Sequence, residues 1–174
     1  FFQNLDINDR NNVHVIYNVI SNKKKFNNKK KNIIIFAGKL NKSKGYHIFG
    51  KTIIKILNEF KDWKAIVIGN EKREKYNFSH KNLIIKDWLS HNKIIKFYDL
   101  ASISVVNPTW NEPFGRTALE SSSRGCAVIT SKSGGINETF NNNLVLKKNN
   151  VTFLYKYIKS LLTNPNKLKK IQKS

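Results

Sequence analysis

Residues 32–60 read NIIIFAGKLNKSKGYHIFGKTIIKILNEF and form the first unit of a pattern that recurs along the chain. Residues 33–37 are a continuous, mostly β-branched apolar run, which is typical of a strand buried on both faces. Residues 44–60 then place apolar side chains along one stripe of a helix, at Ile48, Phe49, Ile53, Ile56, Leu57 and Phe60. The stretch therefore predicts a buried strand, a polar loop and an amphipathic helix.

The same alternation continues to the C-terminal part of the chain. Further strands are predicted at residues 65–68, 83–85, 103–106, 126–129 and 144–146, and further helices at residues 90–100, 114–124 and 151–162. Asn164-Pro165 should break the last of these helices, with a restart over residues 166–172. Strands alternating with helices predict an α/β fold, a Rossmann-like doubly wound parallel sheet over residues 32–163. One more strand is predicted before it, at residues 13–18.

Length and composition restrict the class of protein. The chain has 174 residues, of which 40% are hydrophobic, so it can form one domain with a real core. No apolar run approaches the roughly 20 residues of a membrane-spanning helix, which excludes an integral membrane protein. The single cysteine, Cys126, excludes an intramolecular disulfide and is expected to be a small core residue. A reducing, cytoplasmic location is the default expectation.

The charge is strongly basic, with 32 Lys+Arg against 11 Asp+Glu and a net charge of +21. Lysines concentrate in residues 21–31 and again in residues 147–173. One interpretation is a solvated surface with a biased composition; the other is attraction to a polyanion. No aromatic residues alternate with these lysines and arginine is rare, so the first interpretation is favoured and no nucleic-acid partner is expected.

Unusual residues follow the predicted strands at their carboxyl ends, which is where parallel sheets bind ligands. These segments collect glycines, cations and carboxylates at one edge of the sheet: Gly38-Lys39, Gly69-Asn70, Asp87-Trp88, residues 107–116 and residues 131–135. The sequence therefore predicts a ligand site along this edge.

Two of these segments suit a phosphate ligand. Lys39 and Lys44 flank the start of a helix, where ammonium groups would meet exposed backbone N–H groups. The alternative is that these lysines and Gly45 are ordinary residues of a helix entry. Gly134-Gly135 allows close backbone approach to a ligand, or merely a tight turn.

Residues 107–116 are more specific. Pro113 suits the first position of a helix, with Asn111 or Glu112 as its cap, and Glu120 lies inside that helix. On the simplest interpretation, Glu112 only caps and Glu120 is solvated. That interpretation leaves the amides and guanidinium of residues 114–116 without an anion, whereas a ligand with phosphates and hydroxyls would use all of these groups.

The motifs resemble a known family. NEPFGRTALE at residues 111–120, RGCAVI at 124–129 and GGINE at 134–138 resemble the C-terminal, donor-binding domain of retaining GT-B glycosyltransferases. The likeness is to the family-4, group 1 type with a Glu-x7-Glu motif. FAGKL at residues 36–40, with Lys44-Gly45, resembles the Gly-Arg-Leu…Lys-Gly element of the same family. The fold that this implies is one half of a GT-B fold.

The resemblance implies a role for each matching residue. Glu112 would contact the donor sugar at the reacting centre, and Lys39 and Lys44 would hold the departing diphosphate; these are the expected catalytic residues. The expected donor-binding residues are Glu120, Phe114, Gly115, Arg116, Gly38 and Gly135. No metal or other cofactor is expected, because the cations and the helix dipole neutralise the diphosphate and the four histidines lack ligand spacing.

The chain departs from the family pattern in three places. Lys39 stands where the family has Arg, and residues 70–72 replace a glycine-containing turn. The N-terminal domain of such enzymes is not in this sequence, which starts at Phe1 without a methionine. Residues 1–31 are therefore expected to be an interdomain segment and Lys-rich connector, and residues 164–174 a truncated helical tail. Without the missing domain, we expect half an active site and no turnover.

The expected activity is transfer of a hexose-type sugar from a nucleotide-diphosphate sugar to a glycan or lipid-linked acceptor, in cell-envelope polysaccharide biosynthesis. The basic surface suggests peripheral contact with an anionic membrane at its inner face. A second hypothesis is a non-enzymatic basic domain that binds RNA or anionic membrane in a salt-dependent way. A third is another sugar-nucleotide enzyme, such as an epimerase, against which the Glu-x7-Glu spacing argues.

Overall fold

A computed structural model describes residues 30–138 and 144–173, together with Ile16 and Val19. In chain order the elements are β1 (Lys31–Ala37), α1 (Tyr46–Glu59), β2 (Lys64–Ile68), β3 (Leu83–Lys86), α2 (His91–Leu100), β4 (Ala101–Val106), α3 (Arg116–Ser123), β5 (Ala127–Ser131), a 3-10 turn (Gly134–Glu138), β6 (Val145–Leu146), α4 (Val151–Leu162) and α5 (Pro165–Lys173). Across these ranges, no helix combines the length and the apolar character that crossing a membrane requires.

The strands form one sheet in the order β3-β2-β1-β4-β5-β6. Each pairing between described strands is parallel, and β1 lies beside both β2 and β4. The strand order reverses between β1 and β4, which makes their carboxyl ends a topological switch point. The predicted Rossmann-like sheet is confirmed, whereas the strand expected at residues 13–18 lies outside the described residues apart from Ile16, which has no strand assignment.

Helices cover both faces of the sheet because β1 is apolar on both sides. Ile34 and Phe36 pack in one core cluster with Phe49 of α1 and Leu154 of α4. Ile33 and Ile35 face the other way, into a cluster that includes residues of α2 and α3. A strand buried on both faces reads as a continuous hydrophobic run, as this one does.

Helix α5, in the predicted helical tail, packs onto the domain. Asn164 caps it, since its Oδ1 accepts a hydrogen bond from the Lys167 amide at 2.9 Å. Leu168 is 9% exposed and joins the first core cluster, and Gln172 donates from Nε2 to the Ser102 carbonyl oxygen at 3.0 Å. The predicted division at residue 163 therefore separates α5 from a core on which it packs.

One lysine of the segment predicted to be solvated has a structural role. Lys30 donates from Nζ to the carbonyl oxygens of Tyr98, at 2.8 Å, and Arg124, at 2.5 Å. Burial lowers the pKa of Lys30, with the nearby Arg124 charge a smaller contribution in the same direction. This ammonium joins the ends of α2 and α3 and is not part of a free basic surface.

Candidate functional site

A cleft of about 550 Å³ lies at the carboxyl ends of β1 and β4, the switch point of the sheet. The residues that line it include Gly38 and Lys39 after β1, Lys44 before α1, Trp88 after β3, Trp110 and Glu112 after β4, and Thr117 in the first turn of α3. The prediction that one edge of the sheet collects the cations and a carboxylate is confirmed for Lys39, Lys44 and Glu112.

Lys44 and Glu112 contact each other directly. Lys44 Nζ lies 2.5 Å from Glu112 Oε2, and the Trp110 indole Nε1 donates to the same oxygen at 3.0 Å. The Glu112 side chain is 17% exposed and that of Lys44 31%, so the pair is only partly screened by water. The ammonium also lies 4.9 Å from the centroid of the Trp110 ring, in a cation–π contact.

Glu120 is buried and paired, so the interpretation that it is a solvated helix residue is wrong. Its side chain is 9% exposed, and Oε1 accepts from Arg116 Nη2 at 3.3 Å and contacts His91 Nε2 at 3.1 Å. Arg116, which the resemblance assigns to phosphate, thus reaches along α3 to Glu120. His91 was not predicted as a site residue, because it lies on α2, 29 residues away in sequence.

Helix α3 begins later than predicted. Gly115 is its N-cap, in the left-handed conformation at φ +82°, and Arg116 is its first residue. Neither Asn111 nor Glu112 caps the helix, and Pro113 precedes it. The reason is a sharp turn of the chain against Ile136, where a Cβ on Gly115 would lie 2.4 Å from the Ile136 side chain. No side chain caps the first turn, and no acidic residue stands in it. The start of α3, which lies beside the cleft, is therefore a favourable place for an anion to bind.

The start of α1 differs from the expectation of exposed backbone N–H groups. The amide of Lys44 donates to Asn41 Oδ1 at 3.0 Å, that of Gly45 to the Lys42 carbonyl at 2.9 Å, and that of Tyr46 to the Asn41 carbonyl at 3.1 Å. These amides are used within the protein. An anion at this side of the cleft would meet the side chains of Lys39 and Lys44 instead.

The two consecutive glycines support the Glu112 loop. The Gly135 amide donates to the Glu112 carbonyl oxygen at 2.9 Å. A Cβ on Gly135 would lie 2.4 Å from the Pro113 carbonyl oxygen, and one on Gly134 would lie 2.2 Å from that of Glu112. The sequence left two roles open for these glycines, close approach to a ligand or a tight turn. In the structure, the close approach of both glycines is to protein backbone. By contrast, a Cβ on Gly38, which lines the cleft, would have no neighbour within 4 Å.

Two asparagines join the loops of the site: Asn107 belongs to the predicted segment 107–116, whereas no sequence signal pointed to Asn149. Asn149, before α4, donates from Nδ2 to the carbonyl oxygens of Asn107, at 3.0 Å, and Pro108, at 2.9 Å. Asn107 is fully buried and donates from Nδ2 to Asn149 Oδ1 at 3.2 Å and to the Gly45 carbonyl at 3.3 Å. The pair connects the loop that carries Glu112 to the loop that carries Lys44.

Arg73, which directly follows the departing segment 70–72, adds a cation to the cleft. Its guanidinium donates to both carboxylate oxygens of Glu71, at 3.1 and 3.2 Å. These bonds lower the pKa of the Glu71 carboxyl to about 2. Phe114 is partly buried beside the start of α3. Among the described residues, no group of three or more His, Cys, Asp and Glu side chains could hold a metal ion.

With the fold and the cleft defined, the family of the chain is clear. The glycosyl transferases group 1 family matches residues 19–174, so the chain belongs to this family. The fold is the Rossmann-like half of a GT-B fold, as predicted. The narrower assignment to family 4, and the roles of the Glu-x7-Glu pair, stay predictions.

Relatives and solved structures agree with this family. The uncharacterized glycosyltransferase MJ1178 of Methanocaldococcus jannaschii is 30% identical over 171 residues, which are 92% of this chain and 46% of that protein. The C-terminal domain of LpcC, a glycosyl transferase group 1 family protein of Francisella tularensis, has a TM-score of 0.70 and 26% identity, covering 80% of this chain and 79% of that one.

A second structure shares the fold alone. HepE of Anabaena, solved in complex with UDP-glucose, has a TM-score of 0.70 at 17% identity, covering 82% of this chain and 42% of that one. The chain spans between 31% and 46% of the length of the curated relatives that it matches.

Proposed function

We propose that this chain is the donor-binding half of a retaining glycosyltransferase, which transfers a hexose-type sugar from a nucleotide-diphosphate sugar to a glycan or lipid-linked acceptor. The observation that carries the proposal is the cleft at the switch point, where Lys39, Lys44 and Glu112 meet beside the uncapped start of α3. Membership of the glycosyl transferases group 1 family supports it, as does a shared fold with HepE, which was solved with UDP-glucose.

The cationic side of the cleft suits the diphosphate. Lys39, Lys44 and Arg73 line it, and the first turn of α3 adds the positive end of a helix dipole. In the transfer, the bond from the anomeric carbon to the diphosphate oxygen breaks, and that oxygen leaves with the electron pair. The acceptor hydroxyl oxygen bonds to the same carbon, and its proton passes to the departing diphosphate. The cations stabilise the negative charge that develops, without a metal ion.

The carboxylates suit the hydroxyl groups of the donor. Glu112 lies in the cleft and would contact the transferred sugar, whereas Glu120 would accept hydrogen bonds from the ribose hydroxyls. His91 and Arg116 share one oxygen of Glu120, which orients the carboxylate. Arg116 would then serve the nucleotide through Glu120 in addition to its assigned phosphate contact.

A thermal-shift panel tests donor binding by this chain. UDP-, GDP- and ADP-sugars are compared at low and moderate salt, each with and without EDTA. A nucleotide sugar at 100 times its Kd should raise Tm by about 5–10 °C, since it adds about 2.7 kcal/mol of stability. The increase should survive both salt and EDTA. Lys44→Met should remove it, and Lys51→Met, an equal charge change on an exposed residue of α1, should not.

The net charge of +21 favours one alternative, a basic domain that binds polyanions. A short RNA in the same panel separates the two functions. Stabilisation by RNA alone, lost at moderate salt, would favour that alternative, because release of counterions makes such binding salt-dependent. Turnover by this chain alone, without an N-terminal domain, would contradict the proposal that it supplies only the donor half.

A further inference from the structure

Trp110 and Lys44 hold the same oxygen of Glu112. The indole N–H donates to Oε2 at 3.0 Å and the ammonium at 2.5 Å. In the described part of the chain, no group bonds to the other oxygen, Oε1. One carboxylate oxygen is thus fixed twice, and the other is left for a ligand.

We propose that Trp110 is a positioning residue, which keeps the Glu112 carboxylate in place when Lys44 turns to the diphosphate of the donor. This inference rests on the proposed function, because it takes the diphosphate as the ligand that competes for Lys44. It assigns to Trp110 a task that neither the motif resemblance nor the family match gives it.

Charge decides how Lys44 and Glu112 respond to a diphosphate. Without a donor, the Lys44 ammonium is matched by the Glu112 carboxylate in a partly buried pair. A diphosphate carries more negative charge than one carboxylate, so it draws the ammonium away and repels Glu112 at the same time. The Trp110 indole is neutral and has a single N–H. It is therefore not drawn to the phosphates, and its hydrogen bond to Glu112 outlasts that of Lys44.

The backbone on both sides of this hydrogen bond is fixed. The Trp110 carbonyl oxygen accepts from Ser133 Oγ, and the Glu112 carbonyl oxygen accepts from the Gly135 amide at 2.9 Å. Both supports come from the segment after β5. Trp110 is 45% exposed, but these two hydrogen bonds hold the backbone that carries its side chain. Because both residues are already held in place, their hydrogen bond costs little additional conformational entropy, so it can persist when Lys44 moves.

Indole N–H signals in NMR spectra measure this constraint directly. The chain has three tryptophans, so a ¹⁵N-labelled sample gives three indole signals, which Trp→Phe variants assign. Glu112→Gln replaces the charged acceptor of the indole N–H by a neutral one, so the Trp110 signal should move in that variant. Trp88 lines the same cleft and is 50% exposed, but it makes no described contact with Glu112. Its signal should not move in Glu112→Gln.

Lys44→Met imitates departure of the ammonium without any nucleotide. In this background too, Glu112→Gln should move the Trp110 signal, and indole hydrogen exchange of Trp110 should be about fivefold slower than that of Trp88. A Trp110 signal that no longer responds to Glu112→Gln would overturn the proposal, since Trp110 would then only be a neighbour of the ion pair. If neither UDP, GDP nor ADP shifts any signal, the proposed function fails, and the Lys44→Met comparison still decides the role of Trp110.

Kinetics of the whole enzyme provide a second readout. Trp110→Phe keeps an aromatic side chain and removes the N–H, so kcat should fall about tenfold while KM for the donor changes less than about twofold. Asn111→Ala, which trims an exposed side chain in the same loop, should leave both constants unchanged. A higher KM with an unchanged kcat would contradict the proposal, because Trp110 would then bind the donor and not position Glu112.

Discussion

At the scale of single residues, Glu120 tests whether the second carboxylate of the site binds the nucleotide. Glu120→Gln keeps the shape of the side chain but removes the charge. Hydrogen bonds to a charged acceptor exceed those to a neutral one by about 1–1.5 kcal/mol, so donor affinity should fall about tenfold in isothermal titration. Tm should change little, since His91 and Arg116 are 59% and 68% exposed and stay hydrated.

A matched control separates this role from a general loss of negative charge. Glu59→Gln removes a carboxylate on α1 that pairs with Lys159, outside the residues that line the cleft. That variant should bind the donor as the unmodified chain does. Unchanged affinity in Glu120→Gln would show that Glu120 is not a ligand of the ribose.

Cys126 is expected to be chemically inert in the folded chain. It is 3% exposed, and burial raises the pKa of its thiol to about 12, although the Lys30 ammonium acts in the opposite direction. The thiolate reacts, not the thiol. At pH 8, a disulfide reagent such as DTNB should therefore modify the native chain about 1000-fold more slowly than the urea-unfolded chain. Rapid labelling without urea would contradict this packing.

The sequence predicted the residues of the cleft that belong to motifs, and missed those that depend on contacts between elements. Lys39, Lys44 and Glu112 each lie near the carboxyl end of a strand, so topology alone brings them together. His91 and Asn149 act on the site from α2 and from the loop before α4. Their roles depend on how the helices pack on the sheet, which a single sequence does not determine.

At the scale of elements, the start of α3 shows a local rule overruled by packing. Proline is favoured at the first position of a helix, and on that basis the helix was predicted to follow Pro113. In the structure Gly115 is the cap, because only a residue without a side chain fits against Ile136 at that turn. The predicted start of the helix lies close to the observed one. Because Gly115 is the cap, Glu112 does not cap the helix and lies in the cleft.

The turn after β5 should be needed for the Glu112 loop. In Gly135→Ala the new Cβ would lie 2.4 Å from the Pro113 carbonyl oxygen, so one of the two backbones must move. Overpacking of this kind costs about 1–3 kcal/mol, which urea unfolding measures. Donor affinity should also fall. Asn111→Ala in the facing loop should change neither, and normal stability in Gly135→Ala would show that the turn can shift freely.

Helix α5 should contribute to the stability of the domain. Leu168→Ala removes a side chain that packs in the larger core cluster and is 9% exposed. Such substitutions cost about 2–5 kcal/mol when fully buried, and we expect a value near the lower limit because the helix lies at the surface. Lys169→Ala, at an exposed position of the same helix, is the control. Equal stability of both variants would show that α5 contributes nothing to the stability of the domain.

At the scale of the whole molecule, the alternation of apolar strands and amphipathic helices was sufficient to predict the architecture. The central strands of a doubly wound sheet are buried on both faces, and β1 carries that signal over residues 33–37. The role of the charge was harder to predict. Lys30 belongs to a lysine-rich stretch of sequence but donates to two backbone carbonyls. Net charge alone therefore does not show which lysines are available to a partner.

Contact with an anionic membrane is the remaining expectation for the molecule as a whole. Each lysine near an anionic surface contributes about 1 kcal/mol, and salt screens the attraction. Replacing Lys23, Lys24 and Lys25 with Gln should therefore reduce retention on vesicles that contain phosphatidylserine, measured by co-sedimentation at low salt. Phosphatidylcholine vesicles should not retain either protein.

The control removes the same charge elsewhere. Lys167, Lys169 and Lys170 are exposed on α5, and the control variant replaces these three with Gln. Each of the two triple variants lowers the net charge from +21 to about +18. If the membrane contact is made by the residues before β1, only substitution of Lys23, Lys24 and Lys25 releases the protein from the vesicles. Equal loss in both variants would mean that the whole basic surface is attracted without a preferred face. No loss in either would contradict the expected membrane contact, and the lysine excess would then be a property of composition alone.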